Sequence, residues 1–516
     1  MTQPQKRFSL LKIGAGIAGV ALAGATYWYV PAADHPQAPL AAAMVVLMAV
    51  WWMFEVIPIP VTSLLPLVLL PAFGITDLDT VGADYGRPII FLFLGGFILA
   101  LGLQQSGVHK RIALHIVRIV GSQPSRLVLG FMIACAVLSM WISNTAAVMV
   151  LMPIGLSVLD ATKERSESLA AHQALAVCLM LGIAYAADIG GMATLIGTPP
   201  NLVYTEAVSR EFPDAPETGF LTWMAIWLPM SVVFLGAGWV MLTRFIFPMP
   251  RTSLFEGGSI VADEIKKLGK LRRDEFVAAF IFFLAAFLWM TGSDIRLGET
   301  VIQGWRSLLG LEEVKDAAVA VAAAVLLFMI PSADRKGESL VEWNTAVTLP
   351  WGILLLFGGG FAISTGFKES GLSEIVGEGF AGLTVTSPLL VIIIVCTLLT
   401  FLTELTSNTA MTNLVLPILS KAAVALGMDP RILMVPATIS ASCAFMMPIA
   451  SPTQAIVFGS GHVKISQMVR AGIWFNILGI IMVTGAFMHL GGWLMDIDWN
   501  RVPEWAAPQG EQVAVE

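Results

Sequence analysis

Long apolar runs separated by short polar stretches make up most of the chain, and polar residues return inside those runs at a few repeated places. A helix needs about 17–25 mostly apolar residues to cross a bilayer. Runs of that length, interrupted by many Gly and Pro, predict roughly eleven spans plus shorter re-entrant pieces. One tripeptide recurs within the apolar sequence. Ser143-Asn144-Thr145 lies ahead of Pro153, and Ser407-Asn408-Thr409 lies ahead of Pro417, 264 residues later (407 − 143). The same offset relates Gly95-Gly96-Phe97 to Gly359-Gly360-Phe361 and Ser106-Gly107 to Ser370-Gly371. One offset held over so long a stretch indicates a duplication. An odd number of spans between the copies makes the repeats inverted.

Each tripeptide is followed by a second interruption. The first runs from Gly190 to Asn201 and contains Gly197-Thr198-Pro199-Pro200-Asn201. The second is Pro448-Ile449-Ala450-Ser451-Pro452-Thr453-Gln454. Pro removes an amide donor and Gly permits the turn, so both read as broken helices. Unwound backbone at membrane depth is tolerated where it is buried or lines a cavity.

The expected organisation is therefore an all-α polytopic membrane protein. Residues 1–38 form an N-terminal segment and first span, and 39–250 the first repeat half, with a hairpin at 126–160 and a broken helix at 173–208. A cytoplasmic linker occupies 251–275. The second half occupies 276–496, with a hairpin at 387–427 and a broken helix at 430–464, and a periplasmic tail occupies 497–516. Charge sets the orientation. Lys6, Arg7 and Lys12 precede an apolar run from Ile13 to Val30, read as an uncleaved span with its N-terminus inside. Arg251, Lys266, Lys267, Lys270, Arg272 and Arg273 mark the linker as cytoplasmic. The acidic stretch from Glu206 to Glu217 and the tail after Asp496 are placed outside.

Composition agrees. Of 516 residues, 57% are hydrophobic and 13% charged, against about a quarter charged in soluble chains. The net charge of −7 says little about partners, and with no basic tract interleaved with aromatics, nucleic acid is not expected. Cys135, Cys178, Cys396 and Cys443 sit in apolar runs without zinc-ligand spacing.

Asn and Thr side chains with helix N-termini can hold a carboxylate without Arg or Lys. Carbonyl and hydroxyl oxygens suit a hard cation such as sodium. Bound together, cation and anion stabilise each other, which points to cation-coupled uptake of a small anion.

The paired Ser-Asn-Thr motifs, Gly197–Asn201, Cys443–Pro448 and Ala455–Gly459 resemble the divalent anion/sodium symporter family, the sodium-dependent di- and tricarboxylate carriers. The resemblance runs from about Pro39 to Trp493. It implies a homodimer in the bacterial cytoplasmic membrane, with scaffold and transport domains moving like an elevator and each Ser-Asn-Thr at the tip of a re-entrant hairpin. It implies a first sodium site from Ser139, Ser143, Asn144 and Gly197, and a second from Thr403, Thr406, Asn408 and Ala450. Substrate carboxylates would meet Asn144, Thr145, Asn408, Thr409, Thr198, Pro199, Ser451 and Pro452. The implied cargo is a C4-dicarboxylate such as succinate, malate or fumarate. Thr453-Gln454 departs from the family pattern, which more often has Asn where Gln454 stands.

Alternatives within transport are a sodium-independent carboxylate or citrate exchanger, or a sulfate carrier. A channel is a further alternative, which the paired unwound helices disfavour. A membrane enzyme would need a nucleophile with its base or a set such as His-Glu-x-x-His, and neither is found. Asp188 and Glu404 are read first as capping or pairing groups near the breaks, with a coupling role as the alternative. Glu55 is read as an interface or bundle residue. His115 and His172 are placed in interfacial or loop segments. Trp51, Trp52, Trp223 and Trp227 are expected in interface belts. The glycines at Gly95 and Gly358 to Gly360 are expected to let helices approach closely.

Overall fold

The computed structural model describes residues 10–32, 34–121, 123–163, 169–249, 258–297, 300–380, 387–499 and 501–507. Lys6, Arg7, Arg251 and half of the C-terminal tail, including everything from residue 508, lie outside them. Five described helical stretches are long and apolar enough to cross a membrane, and seven shorter apolar helices of 10–17 residues accompany them. Among the described residues, one departure from an all-helical chain is a small antiparallel hairpin, Ile295–Leu297 with Thr300–Ile302, registered Arg296 to Val301.

The duplication is visible in element boundaries. Pro124–Ser139 and Pro388–Thr403 start and end 264 residues apart (388 − 124 and 403 − 139). Both open on Pro, which is pre-organised for the first helical turn. After a short turn each is followed by the helix that the motif begins, Asn144–Lys163 and Asn408–Ala425. These are two matched helix–turn–helix units. The breaks are equally plain. Leu169–Gly191 stops, and helix resumes at Pro199–Glu211; Arg431–Ser440 stops, and helix resumes at Pro452–Gly459.

Leu169–Gly191 is the centre of the molecule. Every residue from Leu175 to Gly191 is buried, as expected of a helix apolar on all sides. Gly190 makes this possible, since a Cβ there would lie 2.3 Å from the carbonyl oxygen of Ala136 in Pro124–Ser139. The run Gly358 to Gly360 similarly admits Tyr85, Ser63 and Asn413 against Trp351–Glu369.

The halves cross. Pro199–Glu211, from the first half, packs on Asn408–Ala425 and Arg431–Ser440 of the second. Pro452–Gly459, from the second, packs on Asn144–Lys163 and Leu169–Gly191 of the first. Each helix that follows a break thus belongs spatially to the opposite half.

Charged residues hold Pro199–Glu211 in its place. Glu206 pairs with Arg87 at 2.6 Å, Arg87 with Asp84 at 3.1 Å, and Glu211 with Lys421 at 2.9 Å. Arg210 donates to the Phe361 carbonyl and to Thr365, which donates to Asp84 at 2.5 Å. The acidic stretch from Glu206 is therefore helix as far as Glu211, with both of its glutamates paired. The described part of the linker, from Gly258, is structured as well. Gly258–Leu268 and Arg273–Met290 dock on Val108–Val120 through Lys110–Glu264 at 3.1 Å and Arg111–Glu275 at 2.9 Å. These contacts put Lys110 and Arg111 on the same side as the basic residues of the linker, with Arg111 also donating to the Leu268, Gly269 and Lys270 carbonyls.

One expectation needs correction. Trp52, Trp223 and Trp227 are buried rather than placed in belts, because the indoles serve the core: Trp223 Nε1 donates to the Met192 carbonyl at 3.1 Å. Glu55 is an exposed C-cap of Ala38–Phe54 in the left-handed region, φ 44°.

Candidate functional site

Both breaks are held open by side chains, which answers where their backbone groups find partners. In the first, Asn201 Nδ2 donates to the carbonyls of Gly191 and Thr194 at 3.1 and 2.8 Å. Thr194 Oγ1 donates to the Met140 carbonyl in the hairpin turn at 2.5 Å. Ser231 Oγ donates to the Ile189 carbonyl at 3.0 Å.

In the second, Glu404 takes over. Its carboxylate accepts from the amides of Phe445, Met446 and Met447 at 2.8 to 3.1 Å and from Asn476 Nδ2 at 2.7 Å. Asn476 also accepts from the Phe445 amide at 3.1 Å. Glu404 is the 264-residue counterpart of Met140 (404 − 264), so both hairpin turns clasp the break of their own half by different chemistry. Asn476 went unnoticed in the sequence, although a lone Asn inside the apolar run of Ile465–Ala486 is a recognisable signal.

Around the first tripeptide, Ser139 Oγ lies 2.5 Å from Asn144 Oδ1. A Cβ built on Gly191 would meet that oxygen at 2.7 Å and the Gly197 carbonyl at 3.2 Å. Ser139, Asn144 and Gly197 therefore converge on a cradle that any side chain at 191 would fill. Ser143 Oγ accepts from the Ala146 amide at 3.3 Å and lines a small cavity with Gly96, Phe97 and Ile196. Around the second, Thr403 donates back to Leu399 within its helix and Thr406, in the turn that follows, to Leu402, leaving lone pairs free. Asn408 Oδ1 is buried with no protein partner. These oxygen-only sets fit a hard monovalent cation better than a transition metal. Among the described residues no His, Cys, Asp and Glu group has metal-binding geometry.

Thr198 begins Pro199–Glu211 and Ser451 begins Pro452–Gly459, so each break presents a helix N-terminus with free amides. Ser451 caps its helix by accepting from the Gln454 amide. Thr145 is half-buried beside Asn144, and Thr409 is buried beside Asn408.

Asp188 is where the structure differs most from expectation. It does not cap its own break. It accepts from Asn144 Nδ2 at 3.0 Å and, across the seam between halves, from Ser451, Thr453 and Gln454. The departure from Asn to Gln at 454 acquires a use here. The longer amide reaches Asp188 at 3.3 Å, while Asn201 stitches its own break.

Residues 17–497 match the family model described as the sodium:sulfate symporter transmembrane region. The chain belongs to this family. It is an integral membrane protein of a transporter family, and the enzyme alternative falls with that. Its relatives in the family include the sodium-dependent dicarboxylate transporter SdcS of Staphylococcus saprophyticus subsp. saprophyticus, 40% identical over 84% of this chain and 82% of that protein. SdcS of Staphylococcus aureus strain MRSA252 is 39% identical over 88% and 86%. Two solved structures share the fold alone. The YdaH transporter of Alcanivorax borkumensis has a TM-score of 0.51 at 14% identity, covering 94% of this chain and 99% of its own. MtrF of Neisseria gonorrhoeae has a TM-score of 0.56 at 12% identity, covering 90% and 97%.

Proposed function

We propose that this chain is a sodium-coupled symporter of C4-dicarboxylates such as succinate, malate and fumarate in the bacterial cytoplasmic membrane. The observation that carries the reading is 40% identity, over most of the chain, to proteins named as sodium-dependent dicarboxylate transporters. In this reading Ser139, Ser143, Asn144 and the Gly197 carbonyl hold one sodium ion. Thr403, Thr406, Asn408 and the Ala450 carbonyl hold another. Asn144, Thr145, Asn408 and Thr409, with Thr198-Pro199 and Ser451-Pro452 at two helix N-termini, receive the substrate carboxylates. The convergence on Gly191 and the unpartnered Asn408 oxygen support the cation assignments. Cations neutralise the anion, so each raises the other's affinity.

The hairpins are re-entrant, the repeats inverted and the protein a homodimer that works by an elevator motion, with the N-terminus cytoplasmic and the C-terminus periplasmic. Ala100 and Ile196 line the same small cavity between Pro88–Ser106 and the first break. Cysteines at both positions, with the four natural ones replaced, are expected to crosslink to different extents with and without sodium and succinate. Identical crosslinking under all conditions would count against the motion.

The family description favours sulfate as a second reading. Succinate uptake into proteoliposomes, with and without an inward sodium gradient and with internal malate, separates the readings. Uptake that needs sodium and no malate is expected. Uptake that needs malate and ignores sodium indicates an exchanger. Inhibition by sulfate with no succinate uptake indicates the sulfate carrier.

A further inference from the structure

A buried carboxylate is an unexpected neighbour for an anion. Asp188 is 3% exposed, and its partners Asn144, Ser451, Thr453 and Gln454 are all neutral. An ionisable residue at membrane depth without a basic partner is costly unless something compensates its charge. The oxygens beside it suit a cation. Ser451 Oγ and Thr453 Oγ1 lie 2.5 Å apart and 3.0 to 3.3 Å from the carboxylate. Gln454 Oε1 belongs to the amide whose nitrogen touches Asp188, is fully buried and has no protein partner. The amide nitrogen faces Asp188, so this free acceptor belongs to the same buried polar cluster. A cation beside the carboxylate would give this unpartnered buried oxygen a partner and offset the buried charge.

We propose that Asp188, Ser451, Thr453 and Gln454 form a third cation site at the seam between the repeats, separate from the two built on the Ser-Asn-Thr motifs. The site is peculiar to one half. Aligning Gly197-Thr198-Pro199 with Ala450-Ser451-Pro452 places Ala441 opposite Asp188 (188 + 450 − 197). The charge balance rests on the dicarboxylate reading. Two sodium ions neutralise a dianion, and the Asp188 carboxylate leaves one negative charge buried; a third cation cancels it. The bound ion also joins Pro452–Gly459 to Leu169–Gly191, so cation occupancy sets how firmly the crossing helix closes over the substrate.

Asp188→Asn separates this role from that of a structural staple. Asn keeps the shape and an acceptor oxygen for Asn144, and toward its amide the Ser451 and Thr453 hydroxyls rotate to accept while Gln454 turns its free oxygen in. Only the charge is lost. Two readouts are used on the purified full-length protein. The first is the melting temperature against sodium concentration at constant ionic strength, with choline as replacement, potassium as control and no substrate. Stabilisation grows with the number of ions bound, so the variant is expected to lose about a third of the slope. The second is uptake under an imposed membrane potential. The wild type is expected to carry one net positive charge inward per dicarboxylate and the variant none, so the variant ignores the potential. An unchanged sodium slope and unchanged response to potential would overturn the site. Should Asp188→Asn fail to fold, Thr453→Val removes one oxygen ligand at constant shape; a wild-type sodium midpoint in that variant overturns the proposal equally. Wild-type protein that takes up no dicarboxylate would refute the substrate reading, while the substrate-free sodium titration still decides this one.

Discussion

Glu404 offers a direct test of how the second break is held. Its carboxylate is 4% exposed and receives three consecutive backbone amides and the Asn476 side chain. Glu404→Ala leaves those amides without an acceptor inside the protein. A buried donor left unsatisfied costs about 1–3 kcal/mol. Three at the low end, relieved partly by water entering the new space, give about 3–5 kcal/mol. Glu404→Gln keeps one acceptor oxygen but turns an NH2 group toward the donors, for about 1–3 kcal/mol. A domain of about 200 residues loses about 2–4 °C per kcal/mol, and a longer chain loses less. The Ala variant should therefore melt about 3–8 °C lower, with Gln in between. Heating in detergent followed by size-exclusion chromatography measures the surviving folded fraction. An Ala variant that melts within about 1 °C of the wild type would refute the assignment of Glu404 as the clasp.

Asn144→Ala and Asn408→Ala should each abolish uptake while leaving a folded protein, because each supplies proposed ion and substrate contacts; unchanged uptake in either removes that residue from the site. Gln454→Asn shortens the amide that reaches Asp188 and should raise the sodium concentration for half-maximal uptake about tenfold, the worth of one hydrogen bond to a charged group; an unchanged sodium titration would make that contact idle. Arg210→Ala leaves Asp84 short of a buried partner and removes two of the ties between Pro199–Glu211 and Trp351–Glu369, leaving Ser364 to Glu211, at about 3–5 kcal/mol; a melting curve like the wild type's would show the network to be dispensable.

The motifs, the offset and the positions of both breaks were legible in the sequence because they are local. A Pro or Gly acts on its own backbone, and a duplicated stretch keeps its spacing. The crossing of the halves was not legible. Nothing local in Pro199–Glu211 says that it packs on Asn408–Ala425. For the same reason the roles of Asp188 and Glu404 could not be separated in advance. Both are single acids in apolar sequence near a break, and only three-dimensional contacts reveal that one reaches across the seam and the other stays within its half. The tryptophans failed by a related route. An indole is equally suited to a headgroup region and to a core that offers its N–H a carbonyl, and Met192 offers one to Trp223.

The two acids sit at non-equivalent places in the duplicated frame, and that has a mechanistic consequence. A symmetric pair of halves would bind two like cations with like affinity and leave each half equally free to open. Here the first break is tied by neutral groups, Asn201, Thr194 and Ser231. The second is tied by a carboxylate whose four donors come from its own half. Neutral ties cost less to break than ties to a charged group, so the first break is the softer of the two. The Asp188 carboxylate lies just before that softer break and reaches the firmer half. A cation there closes the seam from the mobile side, and its loss frees the first break while leaving the second ordered. Hydrogen exchange should therefore show the amides of Met192 to Gly197 gaining protection with sodium far more than those of Phe445 to Met447. Equal gains in both segments would mean that the halves respond as the symmetric pair from which they arose.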